Sequence, residues 1–286
     1  MKNILKTVIF PLGLALSLFS CNLHEQKAED SLKVMSFNVR QDNADDGVNR
    51  WDMRKDKAIE MLKEQQPDLL GLQEPFHHQL AYIKEKLPHY TALGLGRLGG
   101  KEGEYSALLF DKDRFELLKS GNFSLSEHPD SIGIYGWDAA CERIATWAIL
   151  KDRKKDRTLF FLNTHLDHMG QVARRESIGL IDKKIKELGG KDMPVIITGD
   201  FNAAPTDEPI KLMKKYNYLI TGEVAKRKEG PKGTWHDYGK EKDCLLDYVF
   251  VSDDFDVFEY KVLTEPNNEY FWSDHHPIYS VIQFKK

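Results

Sequence analysis

The chain has 286 residues, with 41 Lys or Arg against 45 Asp or Glu, and a formal net charge of −4 when the histidines are neutral. That length suits one large α/β domain or two small ones. The acidic balance argues against tight, sequence-blind binding to long nucleic acid, which needs a surplus of lysine and arginine, but a bound cation can supply positive charge locally for brief catalysis on a phosphate.

The opening stretch, MKNILKTVIFPLGLALSLFSC, reads as an export signal: Lys2 and Lys6, an apolar run over 7–19, then Ser20 before Cys21. The run is shorter than the ~20 residues a bilayer span needs. Residues 1–20 are therefore expected to be a lipoprotein signal peptide, with Cys21 the lipidated first residue of the mature chain and 21–30 a polar tether. This makes the protein an exported lipoprotein of the bacterial cell envelope, held to the membrane through Cys21. Loss of residues 1–20 removes two lysines and takes the net charge to −6. Cys141 and Cys244 remain, either as a disulfide or as buried free thiols. No C-x-x-C spacing is present, which argues against a thiolate zinc site.

Strand-like apolar runs follow in order at 33–39, 68–73, 106–111, 144–151, 158–165, 194–199, 245–252, 257–263 and 278–284. Helical spacing predicts helices over 50–66, 171–188 and 205–215. No linker divides 31–286, which is read as one domain. Several consecutive strands lack a helix between them, so the expected class is layered α/β with mixed or antiparallel sheets. The simplest arrangement is two sheets face to face with helices outside.

Polar residues gather where the apolar runs stop. KVMSFNVR turns polar at Asn38, DLLGLQEP at Gln73 and Glu74, and TLFFLNTHLDH at Asn163, His165 and Asp167. PVIITGDFN does so at Asp200 and Asn202, LLDYVFV carries Asp247, and SDHHPIYSVI leads with Asp274 and His275. One such residue is ordinarily turn or cap chemistry. Six strand ends with the same character predict a polar cluster above a dry core. Carboxylates, amides and histidines without cysteine suit Mg²⁺ or Mn²⁺. Neither a Walker-type phosphate loop nor a G-x-S-x-G elbow is present. Metal-assisted attack of water on phosphorus fits the inventory best.

The motifs SFNVR, LQE, GEYSALLF, ERIATWAIL, NTHLDH, GDFN, LDYVF and SDHHP, in that order, resemble those of the endonuclease/exonuclease/phosphatase superfamily. The resemblance runs over about 32–284. The stretch GWDAACERIATWA followed by NTHLDHMGQVARRES is most similar to a bacterial lipoprotein branch of that group. It implies a deoxyribonuclease I-like fold, a four-layer α/β/β/α sandwich of two mixed β-sheets. It also implies roles. Glu74, Asn38 and Asp274 would hold the metal, and Asp200 would deprotonate the attacking water with Asn202 as its partner. His165 would stand near the scissile phosphate, held by Asp247 and Glu104. Arg143 and Asn38 would contact phosphate, and His275, oriented by Asp274, would stabilise developing charge.

The implied activity is Mg²⁺- or Mn²⁺-dependent hydrolysis of a phosphodiester in a nucleic acid, nucleotide or phospholipid headgroup. A phosphomonoesterase using the same centre is the alternative, and a non-catalytic binding protein a third reading. The chain is expected to be a monomer whose partner is a phosphate-ester substrate, without a stable nucleic-acid complex. Specificity would lie in the loops 93–105, 124–143 and 233–243, where Trp137 and Trp235 could offer stacking surfaces.

Overall fold

Side-chain parity along the central strands decides which side chains meet. In the computed structural model, which describes residues 31–241, 244–266 and 270–286, Leu32–Lys286 forms one compact unit. The expected signal peptide, Cys21 and the tether lie outside the described residues.

The first strands are β1 (Leu32–Asn38), β2 (Leu69–Gln73), β3 (Tyr90–Leu93), β4 (Ser106–Asp111) and β5 (Phe115–Ser124). Then come β6 (Ile144–Asp152), β7 (Arg157–His165), β8 (Val195–Asp200) and β9 (Leu219–Ile220). The last are β10 (Arg227–Glu229), β11 (Asp247–Val251), β12 (Phe255–Val262) and β13 (Ile278–Phe284). Five helices intervene: α1 (Trp51–Gln65), α2 (His77–Lys86), α3 (Gln171–Glu187), α4 (Glu208–Lys215) and the single turn α5 (Thr221–Val224). One seven-stranded sheet runs β10-β12-β13-β1-β2-β4-β3, and one six-stranded sheet runs β5-β6-β7-β8-β11-β9. Both are mixed: β1 and β2 are parallel, as are β7 and β8, while β1 and β13 are antiparallel.

Successive side chains of a strand face opposite sides. In β1, Leu32 and Val34 pack between the sheets, while Met35 and Phe37 pack with Trp51, Met61 and Leu62 of α1. In β8, Ile196 faces between the sheets, while Val195 and Ile197 meet Ile178, Ile181 and Ile185 of α3. Three apolar layers result, so the order is helix, sheet, sheet, helix. Deep between the sheets, Asn163 replaces an apolar contact. Its Nδ2 donates to the Leu72 and Ala107 carbonyls at 2.9 and 2.8 Å, and its Oδ1 accepts from Gln73 Nε2 at 2.6 Å and Thr198 Oγ1 at 3.0 Å. A buried amide is tolerated because all of its hydrogen bonds are made. Gly71 lets the sheets approach there: a Cβ would lie 2.1 Å from Thr198 Oγ1.

Candidate active site

The same parity that sends Val34 and Ile196 into the core sends Asn38, Asp200, His165 and Asp247 into the space between the sheets, one end further along. Register completes the alignment. His165 is the cross-strand partner of Asp200, and Asp200 is the partner of Asp247, so the three stand in one row. Across the gap, Asn38 is registered with Gln73, which places Glu74 just past the end of β2. Beyond the strand ends the backbone turns sharply: Arg40, Glu74 and Asn202 have φ of 55°, 70° and 46°. Each is a non-glycine residue in the left-handed region, a cost of about 1–3 kcal/mol. The turns point their side chains back over the sheet ends.

Eight of the ten expected site residues line one cavity of about 460 Å³: Glu74, Glu104, Arg143, His165, Asp200, Asn202, Asp274 and His275. Asn38 and Asp247 stand behind its wall, within hydrogen-bond reach of it. All but the half-buried Asn202 are at least nine-tenths buried.

Asn38 Nδ2 donates to Glu74 Oε1 at 2.9 Å and to Asp200 Oδ2 at 3.0 Å, and its Oδ1 accepts from the Arg40 amide at 2.9 Å. It joins two carboxylates that would otherwise repel. Its two Nδ2 hydrogens are committed there, while Oδ1, with one hydrogen bond accepted, keeps a second lone pair. Glu74 also accepts from the Gln41 amide at 3.0 Å. Burial opposes its ionisation, but the Asn38 and Gln41 hydrogen bonds and the charge of Arg40 win, and its carboxyl stays below the usual range. For Asp200, burial and the nearby Asp247 charge push the pKa up to about 7. The Asn202 amide donates to Asp200 Oδ1 at 2.9 Å.

The two histidines are held in opposite states. His275 Nδ1 donates to Asp247 Oδ2 at 2.8 Å, and its Nε2 lies 3.7 Å from Asp200 Oδ2. Burial would lower its pKa, but the charges of Asp247, Asp200 and Asp274 raise it to about 10. His165 Nε2 lies 3.0 Å from Asn202 Nδ2, which also donates to the Leu166 carbonyl at 3.0 Å. Burial, Arg143 and cationic His275 hold its pKa well below the ordinary value, so it is neutral. The amide donates, the imidazole nitrogen accepts, and the ring proton sits on Nδ1.

Three expected pairings differ from those found. Asp247 orients His275 rather than His165. Glu104 accepts from Arg97 Nη1 at 2.8 Å rather than holding His165, and burial with the Glu74 charge pushes its pKa up to about 7. Asp274 does not orient His275; it accepts from Ser273 Oγ at 3.1 Å and stands 3.8 Å from Arg40 Nε. Asp274 and His275 both line the cavity but serve different neighbours. Arg143 lines the cavity and is steadied by Asp167, 3.5 Å away, and by His168 at 3.3 Å. Asp167 accepts from the amides of Ala140, Cys141, Met169 and Gly170, so it organises the loop instead of reaching substrate. Trp235 lines the cavity, whereas the half-buried Trp137 is not among the lining residues. Cys141 and Cys244 are free thiols, half-buried and exposed respectively.

Three arginines escaped the sequence reading. Arg40 lines the cavity and donates to Asp46 at 3.1 Å from both Nε and Nη2. Arg97 was hidden in a glycine-rich loop whose tight spacing was its signal. Arg54, 2% exposed, donates to the carbonyls of Val39, Arg40, Asn49 and Trp272, and so ties the end of β1 to the segment that carries Asp274 and His275.

Asp200, Asp247 and His275 place ligand atoms within 4.8 Å of one another, but His275 Nδ1 is committed to Asp247, so the trio is a base beside a donor. Glu74 and Asp274 line the same cavity. Burial raises the pKa of Asp274 as it does those of Asp200 and Glu104. Oxygen ligands from one or two carboxylates, with the remaining positions left to water and phosphate, match Mg²⁺ usage.

Known proteins are similar in sequence and fold. A Bacteroides vulgatus endonuclease/exonuclease/phosphatase has 36% identity and a TM-score of 0.86, covering 89% of this chain and 99% of that one. A Bacteroides thetaiotaomicron mannosyl-6-phosphatase has 35% identity and a TM-score of 0.83, covering 88% and 100%. Xenopus laevis nocturnin is 30% identical over 224 residues, 71% of this chain, and the chain spans about half (55%) of that relative's length. The endonuclease/exonuclease/phosphatase family model matches residues 35–275, and the chain belongs to that family.

Proposed function

We propose that this protein is a divalent-metal-dependent phosphomonoesterase acting on a small phosphorylated compound. Family members hydrolyse phosphate esters and in general depend on a divalent metal. The observation that carries the reading is one cavity lined by Asp200, His165 and His275, with His275 held by Asp247 and His165 by Asn202. The sequence placed a phosphodiester first. A cavity of about 460 Å³ suits one sugar-sized molecule, the loops around it lack a basic stripe, and the similar Bacteroides protein is a mannosyl-6-phosphatase. These favour the monoester.

The bound cation supplies Lewis-acid charge to the phosphate oxygens, and Glu74 and Asp274 are the residues that would hold it. Asp200 takes the proton of the attacking water, and the Asn38 and Asn202 hydrogen bonds fix its orientation. His275 presents Nε2–H to a phosphate oxygen while Asp247 holds Nδ1, so its charge is spent on the developing anion. Arg40 and Arg143 face the same anion. His165, neutral and pinned by Asn202, closes the wall beside Asp200 without competing for the water proton.

The test is a comparison of p-nitrophenyl phosphate with bis-p-nitrophenyl phosphate, each with Mg²⁺. The monoester should have the higher kcat/KM by at least ~10-fold. A preference for the diester would restore the phosphodiesterase reading.

A further inference from the structure

The proposed chemistry leaves one wall of the catalytic cavity without a task. Residues 96–105 form a narrow hairpin in which Gly96 pairs with Tyr105 and Gly99 with Glu102. The Arg97 amide donates to the Glu104 carbonyl at 2.9 Å, and the Leu98 amide donates to the Glu102 carbonyl at 3.1 Å. The fold demands glycine at 96, where a Cβ would meet the Glu102 carbonyl oxygen at 1.9 Å. Its product is a side-by-side pair, with Arg97 Nη1 2.8 Å from Glu104 Oε2 and both residues lining the cavity. Glu104 is 8% exposed, and Arg97 Nε is buried without an acceptor. Arg97 is the only hydrogen-bond donor to the Glu104 side chain among the described residues.

A guanidinium edge beside a carboxylate offers a donor row next to an acceptor. Two neighbouring hydroxyls, each able to donate and accept, match it. A phosphate does not, because the carboxylate would repel it. We propose that the Arg97–Glu104 pair is the leaving-group subsite and grips adjacent hydroxyls of a phosphorylated polyol. The inference rests on the phosphomonoesterase reading and adds to it that the alcohol released is polyhydroxylated, of the sugar or sugar-alcohol class. Arg97 and Glu104 are specificity residues under this assignment and take no part in proton transfer.

Two probes separate the roles. Glucitol 6-phosphate and n-hexyl phosphate are both monoesters of six-carbon primary alcohols, and they differ in the hydroxyls. Phosphate release with Mg²⁺ is measured for the wild type, Arg97→Met and Glu104→Gln, with circular dichroism on each. The wild type should prefer glucitol 6-phosphate by about 10- to 100-fold in kcat/KM, mainly through KM, the worth of hydrogen bonds to charged groups. Both variants should lose most of that preference. A wild type without preference, or folded variants that keep it, overturns the subsite. So does an equal loss on both esters in a folded variant, which marks a structural role. Should Arg97→Met not fold, the isosteric Glu104→Gln decides alone. A wild type that cleaves neither ester refutes the phosphomonoesterase reading and takes the subsite with it, an outcome that requires both arms to fail.

Discussion

His275 gives its Nδ1 proton to Asp247 at 2.8 Å and turns Nε2 toward Asp200, 3.7 Å away. Its neighbour in the cavity, His165, accepts from Asn202 instead of donating to an acid. The pH dependence follows from these environments. Asp200 must be ionised to take a proton, so activity rises as pH climbs through its pKa, about 7 and lower once a cation neighbours it. His275 must keep its proton to donate, so activity falls as pH climbs through about 10. A kcat/KM profile on a phosphomonoester should therefore be a bell with an acid limb at or below about 7 and an alkaline limb near 10. Asp247→Asn removes the largest charge that raises His275, and should bring the alkaline limb down toward the ordinary imidazole range. A limb that stays in place would show that Asp247 does not set the state of His275. The sequence showed which residue types gather here, because each follows an apolar run. It hid which acid serves which histidine, because that depends on the register of β7, β8 and β11 and on the path of the segment before β13.

At the scale of elements, all nine predicted strands are found, and the two predicted as 106–111 and 278–284 have those bounds. The four strands missing from the sequence reading, β3, β5, β9 and β10, are the four sheet edges. An edge strand is covered on one side only and is kept short or polar. β5 has a central stretch of exposed residues, and β10 is exposed throughout, so neither leaves an apolar run to read. Helix α2 was missed for a related reason: it is short, and of its apolar residues Leu80 and Ile83 alone are buried. Asn163 and Gln73 looked like members of the polar cluster, yet they pin one sheet to the other below it. Asn163→Ala strips hydrogen bonds from the Leu72 and Ala107 carbonyls, Gln73 Nε2 and Thr198 Oγ1. It should cost about 3 kcal/mol and lower Tm by roughly 6–12 °C, read by thermal unfolding. A shift within 1 °C would contradict the pinning role.

At the scale of the molecule, two sheets pack through an apolar layer that becomes polar at one end, and the loops set a cavity over that end. The family's chemistry depends on this gradient. Carboxylates drawn out of water by the packing stand beside Arg40, Arg97, Arg143 and His275 in one cavity, a setting compatible with a divalent cation and a phosphate substrate. The acidic net charge is then compatible with an anionic substrate, since Arg40, Arg143 and His275 act over the short distances of one cavity while surface charge is screened beyond about 10 Å. The most direct test is steady-state hydrolysis of p-nitrophenyl phosphate in Mg²⁺ by the wild type, Asp200→Asn and His275→Gln, with an EDTA arm for each. The wild type should turn over, stop in EDTA, and exceed both folded variants by about 10²-fold or more. Variants that match the wild type, or turnover that ignores EDTA, would contradict the assignment of this cavity as a metal-dependent phosphoesterase centre.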